Sequence, residues 1–155
     1  MKTPRSNGPS LPRSRAGTAI IEFALGSGIL FAMFGGTFGF GYTFLQYNRL
    51  QSAVAQGARF ASLIPYDSTT IAPSTAFLTA VQNMTLYGSP TAGTSPVVRG
   101  LTPGNVSLTV TFTNGVPSAM TVSISGYVID SVFRKTTLSN KPRVTYPYQG
   151  IWTPS

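Results

Sequence analysis

The sequence predicts an α+β chain that is anchored in a membrane by a long N-terminal helix, with a short second helix and a small antiparallel sheet. Three observations support this fold class. Only 9% of the 155 residues are charged, against about 25% in a typical soluble domain. No charged residue lies between Phe23 and Asn48. After residue 105 the apolar period changes from helical spacing to strict alternation.

The first element is expected to be a helix that both crosses a bilayer and continues beyond it. Its uncharged run exceeds the roughly 20 residues that a membrane-spanning helix needs. No proline occurs between Pro12 and Pro65, so one helix can continue from about Thr18 to Leu63. The expected segments are a cytoplasmic leader (1–17), a transmembrane helix (18–45), a projecting helix continuation (46–64) and an extracytoplasmic α+β domain (65–155).

The charges before the apolar run predict its orientation. Four basic residues and no acid precede it, which is typical of an N-terminus that stays in the cytoplasm. A cleaved secretory signal has an apolar core of about 7–15 residues, and the core here is longer. Ala53-Val54-Ala55 fits a signal-peptidase site, but it lies beyond the apolar run and is interpreted as part of a helix face. The basic residues of the leader are Lys2, Arg5, Arg13 and Arg15.

Two surfaces of this helix are predicted to pack. In the membrane half, Gly35 and Gly39 form a GxxxG pair, a spacing that lets neighbouring membrane helices approach closely. In the projecting half, a narrow stripe of mostly small apolar residues recurs at three- and four-residue steps. It suits close packing against the chain's own domain or against another subunit. The stripe consists of Tyr47, Leu50, Val54, Ala58 and Ala61.

The rest of the chain predicts a second helix and three or four strands. Ser74 or Thr75 is the expected N-cap of the helix and Gly88 its stop. Two alternating runs, from Val106 and from Ala119, are separated by the turn signal Asn114-Gly115. Gly126 is expected to break or bulge the second run. The final strand, RVTYPYQ, contains Pro147 and is expected at an edge.

The composition excludes most chemistry. The chain has no cysteine and no histidine, so it has no thiol chemistry and lacks the usual general base and the commonest metal ligand. Its three acids are Glu22, Asp67 and Asp130, and the last two are far apart in sequence. No phosphate-binding glycine motif and no metal-ligand spacing occur. The basic residues are not interleaved with aromatics, so nucleic acid is not expected as a partner. No catalytic, cofactor or metal site is therefore predicted.

Glu22 is the anomaly of the sequence. It stands four residues after Thr18 at the start of the membrane segment, where an ionised acid costs about 2.5–3.5 kcal/mol even on mild insertion scales. A carboxylate at that depth needs a cationic partner or it tends to become neutral. The other interpretation is that its side chain reaches the nearby interface.

The N-terminal pattern resembles a known family. The stretch RAGTAIIEFAL, the Gly-rich apolar helix and the following FGFGYTFLQYNRLQSAVAQGARFAS are similar to the TadE-like minor pseudopilins of Tad (Flp) systems, which assemble type IV-like pili. The resemblance covers about residues 13–63 and includes a class III signal. It implies a pilin-like layout, a place in the bacterial inner membrane or in a surface pilus, and a role connected with adhesion and secretion.

The resemblance also implies roles for individual residues. A prepilin peptidase would cut between Gly17 and Thr18 on the cytoplasmic side, and Thr18 would become the new N-terminus. Glu22 would then be the acid that guides assembly by pairing with a terminal amine, and Phe23 matches its aromatic neighbour. The implied partners are other pilins or pseudopilins, the Tad assembly machinery, the peptidase and the lipid bilayer.

Two other function classes compete with this interpretation. The main alternative is an unprocessed single-pass envelope protein whose outer domain binds a partner. An envelope enzyme is disfavoured by the missing histidine and cysteine and by the scarcity of acids. The mature N-terminus separates the first two possibilities, because only the pilin-like chain would lose residues 1–17.

Overall fold

The structure is a computed structural model that describes residues 14–131 and 134–153. The chain divides into two compact units, one ending at Phe38 and the other beginning at Gly39. The α+β class predicted from the sequence is confirmed. The elements are α1 (Ser14–Leu63), α2 (Thr75–Tyr87), a short 3-10 turn (Pro103–Asn105), β1 (Val106–Thr113), β2 (Val116–Ile124), β3 (Val128–Asp130), β4 (Lys135–Thr137) and β5 (Arg143–Pro147).

Helix α1 begins earlier than predicted and ends where predicted. It starts at Ser14 rather than near Thr18, and every residue from Arg13 to Ile64 has the backbone N–H that a helix needs. It ends at Leu63, two residues before Pro65, which disfavours helical geometry in the residue preceding it. Residues 1–13 of the predicted leader lie outside the described residues.

Helix α2 has the caps that the sequence predicts. Ser74 is extended at the N-cap, and its hydroxyl accepts a hydrogen bond from the Phe77 N–H at 3.1 Å. Gly88 takes a left-handed conformation with φ 69°, which costs glycine little. Its N–H donates to the Met84 carbonyl at 3.0 Å. Both ends of the helix are therefore closed by local side-chain and backbone chemistry.

The main sheet is antiparallel and has the order β1-β2-β5. The turn between β1 and β2 is formed by Asn114 and Gly115, both with positive φ, as the Asn-Gly signal predicts. β5 pairs with β2 and forms an edge, and Pro147 at its end fits that position. The three expected strands of the sheet are thus present.

A fourth strand does not join this sheet. Instead β3 and β4 pair with each other as a separate antiparallel hairpin. Gly126, with φ 71°, lies between β2 and β3 and turns the chain out of the main sheet. The hairpin is closed near its tip by an exposed ion pair of 3.1 Å between Lys135 and Asp130. Val132 and Phe133 lie outside the described residues.

The core of the second unit lies between the sheet and the helices. The predicted apolar stripe of α1 forms one wall, and Leu50, Val54, Ala58 and Ala61 are completely buried. The alternating β residues form the other wall, with Met120 among those that are completely buried. The stripe therefore packs against the chain's own domain. The polar positions on the rest of this helical segment are exposed: Asn48, Arg49, Ser52, Gln56 and Arg59.

The last residues fasten the end of α1 to the sheet. We call residues 148–153 the C-terminal clasp. The Gln149 N–H donates to the Ser62 carbonyl at 2.9 Å, and the Thr153 N–H donates to the Tyr66 carbonyl at 3.0 Å. Trp152 donates through Nε1 to the Ser68 carbonyl at 3.0 Å. The clasp supplies acceptors and donors to the residues just beyond the helix end.

Candidate functional site

The predicted processing and assembly residues lie together on one helical segment. Gly17, Thr18, Glu22 and Phe23 all belong to α1. Thr18 and Glu22 are four residues apart, so they lie on the same face with a rise of about 6 Å between them. The Glu22 side chain is exposed on the helix surface, and Phe23 is 77% exposed.

Gly17 has no packing role among the residues that the structure describes. A Cβ atom built on it would meet no heavy atom within 4 Å. A glycine inside a helix costs about 0.5–1 kcal/mol relative to alanine. The same open space surrounds Gly26, Gly28, Gly36 and Gly41, so packing among the described residues does not require glycine at position 17.

The N-terminal part of α1 presents an apolar surface outward. Within the described chain, the helical region Gly17–Leu63 is the one that is long and apolar enough to cross a membrane, with a mean hydropathy of 1.7 in its most apolar window. None of that window is buried inside the chain. Large apolar side chains exposed along it are Ile20, Ile21, Phe23, Leu25, Ile29, Leu30, Phe31, Met33, Phe34, Phe38, Phe40, Phe44 and Leu45.

The GxxxG residues differ in exposure. Gly35 is half-buried and Gly39 is buried. Further along the helix, Gly57 makes the close approach that the sequence did not single out. A Cβ atom on Gly57 would lie against Oγ1 of Thr85 and 3.2 Å from its Cβ atom. Gly57 thus lets α2 pack directly on the α1 backbone.

The acids of the outer domain have structural partners. The Ser74 hydroxyl donates to Oδ2 of Asp67 at 2.6 Å, beside the α2 N-cap. Asp130 pairs with Lys135 on the surface. Among residues 14–131 and 134–153, no group of three or more acids that could hold a metal ion occurs. Asp67 and Asp130 therefore belong to a helix start and to a hairpin.

Three tyrosines are the electrostatically perturbed groups outside the membrane segment. Burial raises the pKa of Tyr66, Tyr127 and Tyr148. The phenol of Tyr42 adds a smaller increase to the pKa of Tyr127. For Tyr148, the hydrogen bond from the Tyr66 backbone opposes part of the effect. All three hydroxyls are thus favoured in the neutral form, as hydrogen-bonding groups.

Sequence reasoning missed Gly57, Tyr148 and Trp152. The Tyr148 hydroxyl accepts a hydrogen bond from the Tyr66 N–H at 2.8 Å, and it lies 3.1 Å from the Ile64 carbonyl oxygen. Trp152 packs edge-to-face on Phe112 at 6.4 Å. The cluster of aromatics in the terminal YPYQGIW was the available signal, because large aromatic side chains dominate the energetics of cores.

Comparison with known families agrees with this N-terminal arrangement. Residues 17–59 match the sequence model of a family described as TadE-like protein. The matched range begins at the predicted processing residue, includes Glu22 and Phe23, and ends two residues after Gly57. No curated protein and no solved structure matches the chain.

Proposed function

We propose, because residues 17–59 match the TadE-like family, that the chain is a minor pilin or pseudopilin subunit in the assembly of a Tad (Flp) pilus. Membership of this family implies a pilin-like protein that is associated with the Tad pilus. Such proteins are generally not enzymes. The observation that carries the proposal is the double use of α1. Its first part exposes large apolar side chains, whereas its later part supplies a buried stripe to the outer domain.

The proposed membrane arrangement follows from charge and length. One long apolar helix is consistent with a single-pass anchor. Four basic residues in the leader favour a cytoplasmic N-terminus. Residues 18–45 would then lie in the bacterial inner membrane, residues 46–64 would continue the helix outside, and residues 65–155 would form the extracytoplasmic domain.

Processing after Gly17 is the next part of the proposal. A prepilin peptidase would cut the Gly17–Thr18 bond, and the glycine without a packing role would serve the peptidase. The cut creates an amine on Thr18, one helical turn from Glu22. That amine, or the one on a neighbouring subunit, would supply the positive charge that Glu22 needs in lipid.

Assembly would use the helix surface around Glu22. The acid and Phe23 would contact neighbouring pilins, and the Gly35 and Gly39 backbone would allow close helix contacts. The Tad assembly machinery, the peptidase and the bilayer complete the proposed partners. Removal of the charge should therefore impair incorporation into the pilus more than insertion or cleavage.

The test combines three variants in the producing cells. Mass spectrometry of the membrane fraction should find a mature N-terminus at Thr18 in the wild type and in Glu22→Gln. Gly17→Val should keep the full leader. Glu22→Gln should be depleted from sheared pili, whereas the matched control Asp130→Asn, which neutralises an exposed acid of the outer domain, should not.

Two results would contradict the proposal. A wild-type chain that retains residues 1–17 would favour the unprocessed envelope protein instead. Normal incorporation of Glu22→Gln into pili would remove the pairing role of the acid while leaving processing intact.

A further inference from the structure

The outer domain has two ends that can be identified along α1. At one end the Gln149 N–H bonds to the Ser62 carbonyl at 2.9 Å, and the Tyr148 N–H bonds to the Ser118 carbonyl at 2.9 Å. The beginning of β2 therefore lies beside the C-terminal turn of α1. We call this the Ser62 end of the domain.

The opposite end lies toward Tyr42. Strand β2 advances by six residue steps from Ser118 to Ile124, which cover about 20 Å, the rise of about 13 helical residues. Tyr127 follows β2 in the chain and is buried. Its pKa is raised by burial and, second, by the nearby phenol of Tyr42. We call this the Tyr42 end.

The charges of the second unit are concentrated at the Tyr42 end. Tyr127 donates to the Arg99 carbonyl at 2.9 Å, and the Lys141 N–H donates to the Ile124 carbonyl at 3.0 Å. Only Asp130 is acidic there, and it is already paired with Lys135. The Ser62 end carries one cation, Arg59, and one acid, Asp67. The exposed cations toward the Tyr42 end are Arg49, Arg99, Arg134, Lys135, Lys141 and Arg143.

The same end is next to the proposed membrane surface. The span proposed above, residues 18–45, ends three residues after Tyr42, and tyrosine is enriched at the membrane–water interface. The Tyr42 hydroxyl accepts a hydrogen bond from Nε2 of Gln46 at 2.9 Å, so polar groups already meet at this level. This step rests on the proposed function, because it uses the anchor to locate the bilayer.

We propose that the Tyr42 end of the outer domain docks on the anionic phospholipid headgroups of the membrane in which the chain is anchored. Charge complementarity selects this occupant. The segments that reach this end or continue from it carry six exposed cations and one carboxylate, Asp130, which is paired with Lys135. Each cation near an anionic surface strengthens binding about fivefold. Val128, which is 43% exposed in β3, adds an apolar side chain that can enter the interface.

Docking would hold the domain against the membrane before the subunit is incorporated into a fibre. The attraction acts only within about a Debye length of the charged surface. Extraction of the helix from the membrane would therefore release the domain completely. The lipid contact thus favours the membrane-held state over a freely tilting domain.

The experiment measures this docking on the full chain in vesicles. Because the chain has no cysteine, Val128→Cys or Thr69→Cys gives a single site for a fluorophore. Vesicles contain spin-labelled headgroups and either pure phosphatidylcholine or a phosphatidylglycerol-rich mixture. We expect the Val128 label to be quenched more in the phosphatidylglycerol vesicles. The Thr69 label, beyond the Ser62 end, should be quenched equally in both.

Charge variants and salt identify the cause. Lys141→Gln should weaken the phosphatidylglycerol-dependent quenching of the Val128 label about fivefold. The double variant Arg99→Gln/Lys141→Gln should weaken this quenching further. The matched control Arg59→Gln removes one exposed cation at the Ser62 end and should leave the phosphatidylglycerol-dependent quenching unchanged. Raising the ionic strength from about 0.01 M to about 1 M shortens the Debye length from about 30 Å to about 3 Å. This change should abolish the phosphatidylglycerol-dependent quenching. A label at the exposed Ser139 repeats the measurement independently of β3.

Failure of this proposal can be told apart from failure of the anchor. Alkaline extraction of the same vesicles tests whether the chain spans the bilayer. A chain that is extracted would overturn the membrane placement. A chain that resists extraction, with quenching at Val128 independent of phosphatidylglycerol, salt and Lys141, would overturn headgroup docking alone. Headgroup docking at the Tyr42 end would also be overturned if Arg59→Gln reduced the quenching as much as Lys141→Gln. A general effect of net charge would then explain the result.

Discussion

At the scale of single residues, glycines on α1 have opposite environments. Gly17 has open space around it, whereas Gly57 lies directly against the buried side chain of Thr85. The Thr85 hydroxyl also donates to the Val81 carbonyl at 2.8 Å, which fixes its rotamer within α2. Packing therefore requires glycine at position 57, whereas no contact among the described residues requires it at position 17.

Gly57→Ala should destabilise the outer domain by about 1–3 kcal/mol, because overpacking a filled core costs this much and exceeds the gain in helix propensity. The second substitution Thr85→Ala should recover part of the loss. Gly41→Ala, whose Cβ atom would meet nothing within 4 Å, is the control and should be nearly neutral. Denaturant unfolding in detergent, followed by near-ultraviolet circular dichroism, measures the stability of Gly57→Ala, Thr85→Ala, the double variant and the control Gly41→Ala. Additive effects of Gly57→Ala and Thr85→Ala would contradict the contact.

At the scale of elements, the C-terminal clasp stabilises the end of α1. Its central group is the Tyr148 hydroxyl, which bonds with the Tyr66 N–H and lies near the Ile64 and Ile151 carbonyls. The Tyr66 N–H and the Ile64 carbonyl lie just after the last turn of α1, where carbonyls lack partners within the helix. The clasp therefore supplies hydrogen-bond partners that α1 itself cannot provide at its C-terminal end.

Alkaline pH should loosen this arrangement. Burial raises the pKa of Tyr66, Tyr127 and Tyr148 in the folded chain. The unfolded chain therefore loses these protons first, and the free energy of unfolding should fall as pH rises above about 10. Tyr148→Phe should lower stability at neutral pH by about 1–2 kcal/mol and make the alkaline loss shallower. Titration of unfolding between neutral and alkaline pH checks both effects.

The control for the lost hydroxyl is Tyr146→Phe at an exposed position of β5. Its stability at neutral pH should stay within about 0.5 kcal/mol of the wild type. An alkaline loss that is as steep in Tyr148→Phe as in the wild type would assign the transition to other groups.

At the scale of the whole molecule, α1 faces two kinds of surroundings. In its first part the large side chains are exposed and suited to lipid, and in its later part the small ones are buried against the sheet. The domain core thus uses a stripe on the same helix whose first part is long and apolar enough to cross a membrane. Substitutions in the two parts should have separable effects on insertion and on domain stability.

Phe31→Arg should reduce membrane insertion, because a charged residue at the centre of a span costs about 2.5–3.5 kcal/mol on insertion scales. Phe31 is 75% exposed within the apolar run. Leu63→Arg, at the 52% exposed end of α1, should insert normally. The fraction of each variant that resists alkaline extraction measures the difference. Equal extraction of both would contradict the location of the span.

The sequence by itself determined the two helices, the main hairpin and the long apolar run of α1. Uninterrupted apolar residues, the proline at position 65, the Ser74 and Gly88 caps and the Asn114-Gly115 turn all act through local backbone chemistry. Their consequences are therefore readable without knowledge of distant contacts. The family segment at residues 17–59 is also continuous in sequence.

Only the tertiary structure decided which surfaces meet. The apolar stripe of α1 was equally suited to another subunit, and its burial against the sheet became evident from the fold. The separation of β3–β4 from the main sheet, the fit of Gly57 against Thr85 and the clasp around Tyr148 join residues from distant parts of the chain. Sequence periodicity shows that one face of an element is apolar. The residues that this face contacts depend on the tertiary packing of distant segments, which a local sequence pattern does not contain.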